Sequence, residues 1–236
     1  MHILGLTGCR RSGKDTVADY LVQHFGFIKA SIGGPVHEIS HLILTGLGYS
    51  DKDLQKLVYG RMRDTFVVPE IGMTVRDLQV KIGMNGRDLI HPDLWVNIAK
   101  RRFVRDVPDN CPGIVNTSIR FANEAEFYTG MGGVIARVVN DRAEADNPAK
   151  DCKSEQTHLV SHTVEIINNG SIENLHHEVN DLMHFLETGK EKPLGVSTLG
   201  LDLSAQRVHS RLHEKRTERL ETPQRAVEPP KAGSQR

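Results

Sequence analysis

The sequence predicts an α/β protein: a parallel sheet in three layers, with helices on both faces. Three observations predict it. Short apolar runs alternate along the chain with segments whose apolar residues recur at helical spacing, the pattern of strand–helix–strand units. A glycine-rich string, Gly8 to Lys14, stands between the first apolar run and the first helical segment. The chain has 236 residues, 38% hydrophobic and 25% charged, which suits one soluble globular domain with an appendage.

Taken in order, "HILGLT" reads as a buried strand. "GKDTVADYLVQHFG" follows as a helix with Val17, Ala18, Leu21, Val22 and Phe25 on one face and Gly26 as its stop. "FIKAS" is a second strand, and "PVHEISHLILTGLG" a helix with Pro35 in its first turn. Residues 51 to 105 read as largely helical with a break around "VVPEIGM". "GIVNTSI" is a β-branched strand, "NEAEFYTGMGG" a helix with a glycine stop, and "VIARVV" another strand. After a polar stretch from Asn140 to Thr163, "VEIINNG" is strand plus turn. "SIENLHHEVNDLMHFLE" is a helix capped by Ser171, with Ile172, Leu175, Val179, Leu182 and Met183 as its stripe. The expected organisation is a domain over residues 1–186, with a lid at about 140–163, and a charged tail over 187–236. That tail holds ten Lys/Arg against seven Asp/Glu and ends Pro-rich, a composition that does not build a core.

Lys+Arg and Asp+Glu balance at 30 each, so no bulk affinity for nucleic acid is expected. Cys9, Cys111 and Cys152 are odd in number and at no metal-ligand spacing, which argues against a disulfide framework and fits a reducing compartment. No apolar run reaches membrane-span length, and "MHILGLTG" is too short for a signal sequence. A cytoplasmic location is expected. His158 with His162, and the adjacent His176 and His177, lack a third ligand and read as solvated. The oligomeric state, monomer or homodimer, has no signature.

Gly8 to Lys14 fits G-x-x-x-x-G-K. Glycines let main-chain N–H groups turn inward around an anion, and the next helix adds its N-terminal dipole. Gly8, Cys9, Arg10, Arg11, Ser12, Gly13, Lys14, Asp15 and Thr16 are the candidate triphosphate contacts, with Lys14 supplying a point charge to the terminal phosphates. A ligand-free glycine turn is disfavoured, because Arg10, Arg11 and Lys14 would crowd a helix N-terminus, where cations are unfavourable. Asp15 stands where a hydroxyl is usual. A carboxylate facing phosphate calls for a divalent cation between them, so Asp15 and Thr16 are the candidate magnesium-shell residues. The other reading of Asp15 is an acidic residue favouring the first helical turn.

"GLTGCRRSGKDTVADYL" resembles the loop of bacteriophage-type deoxynucleoside monophosphate kinases, which carry G-x-[KR]-R-S-G-K-D-T. "MTVRDLQVKIG" with "DLWVNIAKRR", "IRFANEAEFYTGMGGVIARVV" and "SEQTHLVSHTVEIINNGSIENLHHEV" are similar to later segments of that family. The resemblance spans residues 2 to about 186. It implies a P-loop nucleoside-monophosphate-kinase-like fold and transfer of the ATP γ-phosphoryl, with Mg2+, to a small-molecule deoxynucleoside monophosphate. In the phage setting this feeds genome replication in the host cytoplasm.

In-line phosphoryl transfer needs alignment and positive charge, and arginine forks match phosphate oxygens. Lys14, Arg120, Arg11 and Arg142 are therefore the catalytic candidates. Arg76, Arg87, Ser118, Arg120 and Glu124 are the acceptor-binding candidates. Arg120 leads because it follows a predicted buried strand, where α/β sheets place their sites. Arg76, Arg87 and Arg142 read equally as surface or ion-pair arginines. Three positions depart from the family pattern. Ser118 replaces the aspartate of D-x-R, Asn140 replaces the arginine that opens the lid, and Lys153 replaces a histidine before Ser154 and Glu155. These departures keep open a nucleotide-binding protein that has lost catalysis. A kinase of phosphomevalonate or dephospho-CoA type also stays open.

Overall fold

The structure, a computed structural model, describes residues 1–146, 154 and 156–188. The chain runs β1 (His2–Thr7), α1 (Lys14–Phe25), β2 (Ile28–Lys29), α2 (Gly34–Gly46), α3 (Asp51–Leu54), β3 (Val67–Val68), β4 (Met73–Thr74) and α4 (Val75–Asn85). It continues through α5 (Leu94–Asp106), β5 (Gly113–Asn116), α6 (Ala122–Gly130), β6 (Val134–Val139), α7 (Asp141–Ala145), β7 (Val164–Ile167) and α8 (Ile172–Thr188). The polar stretch after β6 is only partly described, and the tail from 189 on lies outside the described residues.

Residues Ile3 to Thr7 of β1 are all buried, as a strand covered on both faces must be. It sits at the centre of a five-stranded sheet ordered β2-β5-β1-β6-β7. Every pairing is parallel, with Gly5 opposite Asn116 of β5 and Thr7 opposite Arg137 of β6. The five apolar runs read as strands supply its five strands, although "FIKAS" contributes only two residues at the edge. Because all strands point one way, the loops after β1, β5 and β6 emerge on the same side.

One face of the sheet is covered by α1 and α8 through Val17, Ala18, Leu21, Leu175, Val179, Leu182, Met183 and Phe185. The other is covered through Trp95, Ala99, Ala125 and Tyr128 of α5 and α6. This is the expected three-layer α/β fold. Gly26 stops α1 in the left-handed region at φ 68°. Ser171 accepts from Asn174 N at 3.3 Å at the start of α8.

Two apolar residues leave their predicted stripes. Ile172 is 46% exposed and Val22 39%, so the α8 stripe begins one turn later, at Leu175. Residues 34–85 form a satellite core of Leu44, Leu54, Leu57, Val58, Val68 and Val75. The break at "VVPEIGM" is an antiparallel hairpin pairing Val67 with Thr74 and Val68 with Met73.

Leu21 is fully buried, so Leu21→Ala is expected to cost about 2–5 kcal/mol. Ile172→Ala is expected to change stability by less than about 0.5 kcal/mol, both read by denaturant unfolding. Equal effects would contradict the placement of the α8 stripe.

Candidate active site

The loop from Gly8 to Gly13 turns the chain from β1 into α1 with three left-handed residues: Gly8 at φ 130°, Arg11 at 68° and Gly13 at 104°. A Cβ on Gly8 would stand 2.4 Å from the Val138 carbonyl oxygen, and one on Gly13 would stand 2.3 Å from Asn168 Nδ2. Both positions therefore require glycine for space as well as for dihedral angle. Asn168, just after β7, donates from Nδ2 to Ser12 O at 2.8 Å and pins the loop to the sheet. Gly13 precedes α1 without a side-chain cap, so the first-turn amides of α1 lack a capping acceptor and carry the positive end of the helix dipole. Lys14 Nζ donates to Gly8 O (2.9 Å) and Cys9 O (2.6 Å) and lies 3.4 Å from Ser12 Oγ, folded across the loop that it follows.

The loop borders a cleft of about 320 Å³ at the carboxyl ends of the strands. Among the described residues seven cationic side chains line it: Arg10, Arg11, Lys14, Arg63, Arg76, Arg87 and Arg120. Among the described residues only two carboxylates do, Asp15 and Glu124. Such an excess in a concave site attracts anions. The opposite chemistry lies in the same cleft, where Ile32, Val36, Val80, Met84 and Trp95 form an apolar wall.

The acceptor-side candidates are brought together, but not as equals. Arg120 and Arg76 line the cleft. Arg87 ion-pairs with Glu124 and lies 3.8 Å above the Phe121 ring. Glu124 is 4% exposed and also accepts from Arg120 N at 2.8 Å and Phe121 N at 3.3 Å. Burial pushes the Glu124 carboxyl up, against the pull of the Arg87 guanidinium. The pair builds the turn that presents Arg120. Ser118 gives both its N–H and its hydroxyl to Asn116 Oδ1, at 2.9 and 2.8 Å, and its Oγ lies 3.3 Å from Ser31 Oγ. Thr117 and Ser118 thus bring hydroxyls, not a carboxylate, to the cleft after β5.

Of the loop candidates, Gly8, Arg10, Arg11, Lys14 and Asp15 line the cleft. Cys9 and Ser12 are buried beneath the turn, and burial raises the Cys9 thiol despite nearby Lys14. Thr16 is exposed and stands outside the cleft-lining set, so of the two magnesium candidates Asp15 alone faces the cleft. Arg142 is exposed on α7, also outside that set. Asn140 caps α7 by accepting from Ala143 N at 2.8 Å and donates to Asn168 O. Ser154 reaches the cleft, whereas Cys152, Lys153 and Glu155 lie outside the described residues.

Sequence reasoning missed four residues. Arg63, His37 and Gln79 line the cleft, and Asn168 holds the loop. Asn168 lies in the "INNG" segment that carried part of the resemblance, so a signal was there. Arg63 sits beside Asp64, which binds Arg10 of the loop at 2.7 Å; no local pattern announces that 54-residue contact.

His37 senses this charge. Burial lowers its pKa first, then the guanidiniums of Arg63, Arg120 and Arg76, with Glu38 opposing. An anion in the cleft offsets those cations and raises the His37 pKa. Binding therefore takes up protons, and affinity rises as pH falls through the interval between the free and bound values. In an NMR titration His37 is expected to titrate below the usual imidazole value of about 6.5 and to move upward with sulfate, which does not itself titrate there. An unmoved His37 would contradict the cation cluster.

No family model matches the chain. A protein of Acanthamoeba polyphaga mimivirus named "Putative deoxynucleotide monophosphate kinase" is 27% identical over 192 residues, covering 76% of this chain and 94% of that protein. Among solved structures, dephospho-CoA kinase from Campylobacter jejuni is 16% identical at TM-score 0.40, covering 79% of this chain and 98% of its own. TT1252 from Thermus thermophilus is 17% identical at TM-score 0.38, covering 78% and 97%. The sheet and its loop give this chain a parallel three-layer α/β fold with a phosphate-loop-like turn after β1 by their own geometry.

Proposed function

We propose that this protein transfers the γ-phosphoryl group of ATP to the phosphate of a deoxynucleoside monophosphate. One observation carries the reading. A single cleft joins an amide-lined loop with Lys14 to further cations, Arg63, Arg76 and Arg120, that come from other elements. Two phosphate-bearing ligands are thus held together against their mutual repulsion. The viral relative's name points the same way, and the loop and the "NEAEF" and "INNGSIENL" segments carry the resemblance.

Catalysis here is positioning and charge. The loop amides and the α1 dipole receive the triphosphate. Lys14 exchanges its carbonyl partners for phosphate oxygens as the nucleotide enters. Arg120, with its main chain fixed by Glu124, clamps the acceptor phosphate with Arg76 and Arg63 alongside. Asp15 would hold magnesium, which would supply neutralisation of phosphate charge. In this role the protein works on small-molecule nucleotides in the cytoplasm, that of the host if it is phage-encoded.

A second reading has one observation in its favour. Ser118 stands in place of the family's aspartate and is bound to Asn116, which fits a nucleotide-binding protein without turnover. A coupled assay of ADP release with each deoxynucleoside monophosphate separates the two. The kinase reading expects turnover with at least one acceptor, lowered about 10²–10³-fold in Lys14→Ala. It also expects a raised acceptor KM in Arg120→Lys, because the planar fork is lost. ATP binding without turnover on any acceptor would establish the second reading.

A further inference from the structure

The cleft-facing stripe of α4 changes character along its length. Arg76, Gln79, Val80, Gly83 and Met84 follow at steps of three and one, which places them on one helical face. Arg76 belongs to the cation cluster; Val80 and Met84 belong to the apolar wall with Trp95. Gln79 stands where the two meet, 5% exposed.

Its amide orientation is determined. Gln79 Nε2 donates to Val58 O at 3.2 Å and to Ser40 Oγ at 3.3 Å. Ser40 gives its own hydrogen to His37 O at 2.8 Å, so towards Gln79 it can only accept. A carbonyl and an already donating hydroxyl both require a donor, so the reversed amide would set oxygen against oxygen. That leaves Oε1 as the acceptor of a side chain that lines the cleft. Among the described residues, the rest of this wall offers a nucleobase no hydrogen-bonding side chain. Trp95 Nε1 donates to Gly83 O at 2.8 Å, which leaves its ring, and Val80 and Met84 bring no N–H or O–H.

We infer that Gln79 is the base-reading residue of the acceptor site: its Oε1 accepts a hydrogen bond from a ring or exocyclic N–H of a nucleobase lodged against Trp95, Val80 and Met84. The inference rests on the reading of the cleft as a nucleoside monphosphate site and adds what holds the base. An acceptor without a matching N–H leaves Oε1 desolvated and unpaired. The neighbouring Arg76 fixes the order of the site, phosphate towards the guanidiniums and base towards Met84.

The test compares binding, by calorimetry, of natural monophosphates with analogues that lack the N–H. dAMP is set against its analogue without the 6-amino group, and dCMP against its analogue without the 4-amino group. dTMP and dGMP are set against their N3-methyl and N1-methyl forms. Removing the donor is expected to weaken binding of an accepted nucleotide to the wild type by about tenfold to a hundredfold. In Gln79→Met the two members of each pair are expected to bind within about twofold of one another. The wild-type comparison needs no altered protein, so it stands even where Gln79→Met does not fold. Natural monophosphates that bind no better than their analogues would overturn the role of Gln79 and leave the kinase reading intact. A pair that stays unequal in a folded Gln79→Met would also overturn it, because the discrimination would then be steric. Failure of all four natural monophosphates to bind would overturn the acceptor reading and this inference with it.

Discussion

The whole site depends on a turn with no room for side chains at two of its corners. Gly8 lies against the Val138 carbonyl of β6, and Gly13 against the Asn168 amide just beyond β7. The loop is therefore shaped by the two strands on one side of β1, and its amides converge because those neighbours stand where they do. The strand order β2-β5-β1-β6-β7 has a second consequence. On the other side of β1, β5 delivers Ser118 and Arg120 to the same end of the sheet. A parallel sheet reversing its winding at β1 opens a crevice there, and the two halves of the cleft are its two walls.

Charge is the next constraint. Gathering seven cations around one cleft opposes folding unless some are held by carboxylates. Arg87 is held by Glu124, and Arg10 by Asp64. The first pair is nearly buried and also fixes the main chain of Arg120. It is a construction element that lines the cleft, and its partners are already matched to each other. The second pair joins the loop to the helical insert. Burial first, and then the guanidiniums of Arg63, Arg120 and Arg76, depress His37. The cleft is thus prepared for an anion from both sides, and its apolar wall accommodates whatever the anion is attached to.

The sheet was legible because each buried strand is a short apolar run bounded by polar residues or glycine. The loop was legible because its chemistry is local, six residues between strand and helix with Lys14 opening the helix. Arg120 could be found because a residue just after a buried parallel strand is delivered to the site by topology alone. Arg142 sits in the same relation to β6, yet its side chain lies on an exposed helical turn, since Asn140 starts α7 at once. Spacing after a strand does not encode that turn. Gln79 and His37 were illegible for another reason. Each lies on a helix of the insert, and facing the cleft depends on how residues 34–85 pack over the sheet. The hairpin at Val67 and Met73 was hidden by its length, two residues a side, too short for a period to register.

The central claim is that main-chain amides at the start of α1 hold a nucleotide's phosphates. A 1H–15N correlation spectrum of the labelled protein, recorded as ADP is added, tests it most directly. The account predicts that the largest shifts fall on the amides of Gly13, Lys14 and Asp15, with Gly8 also moving. Saturating ADP that leaves those four amides in place, or moves only residues remote from the loop, would contradict it.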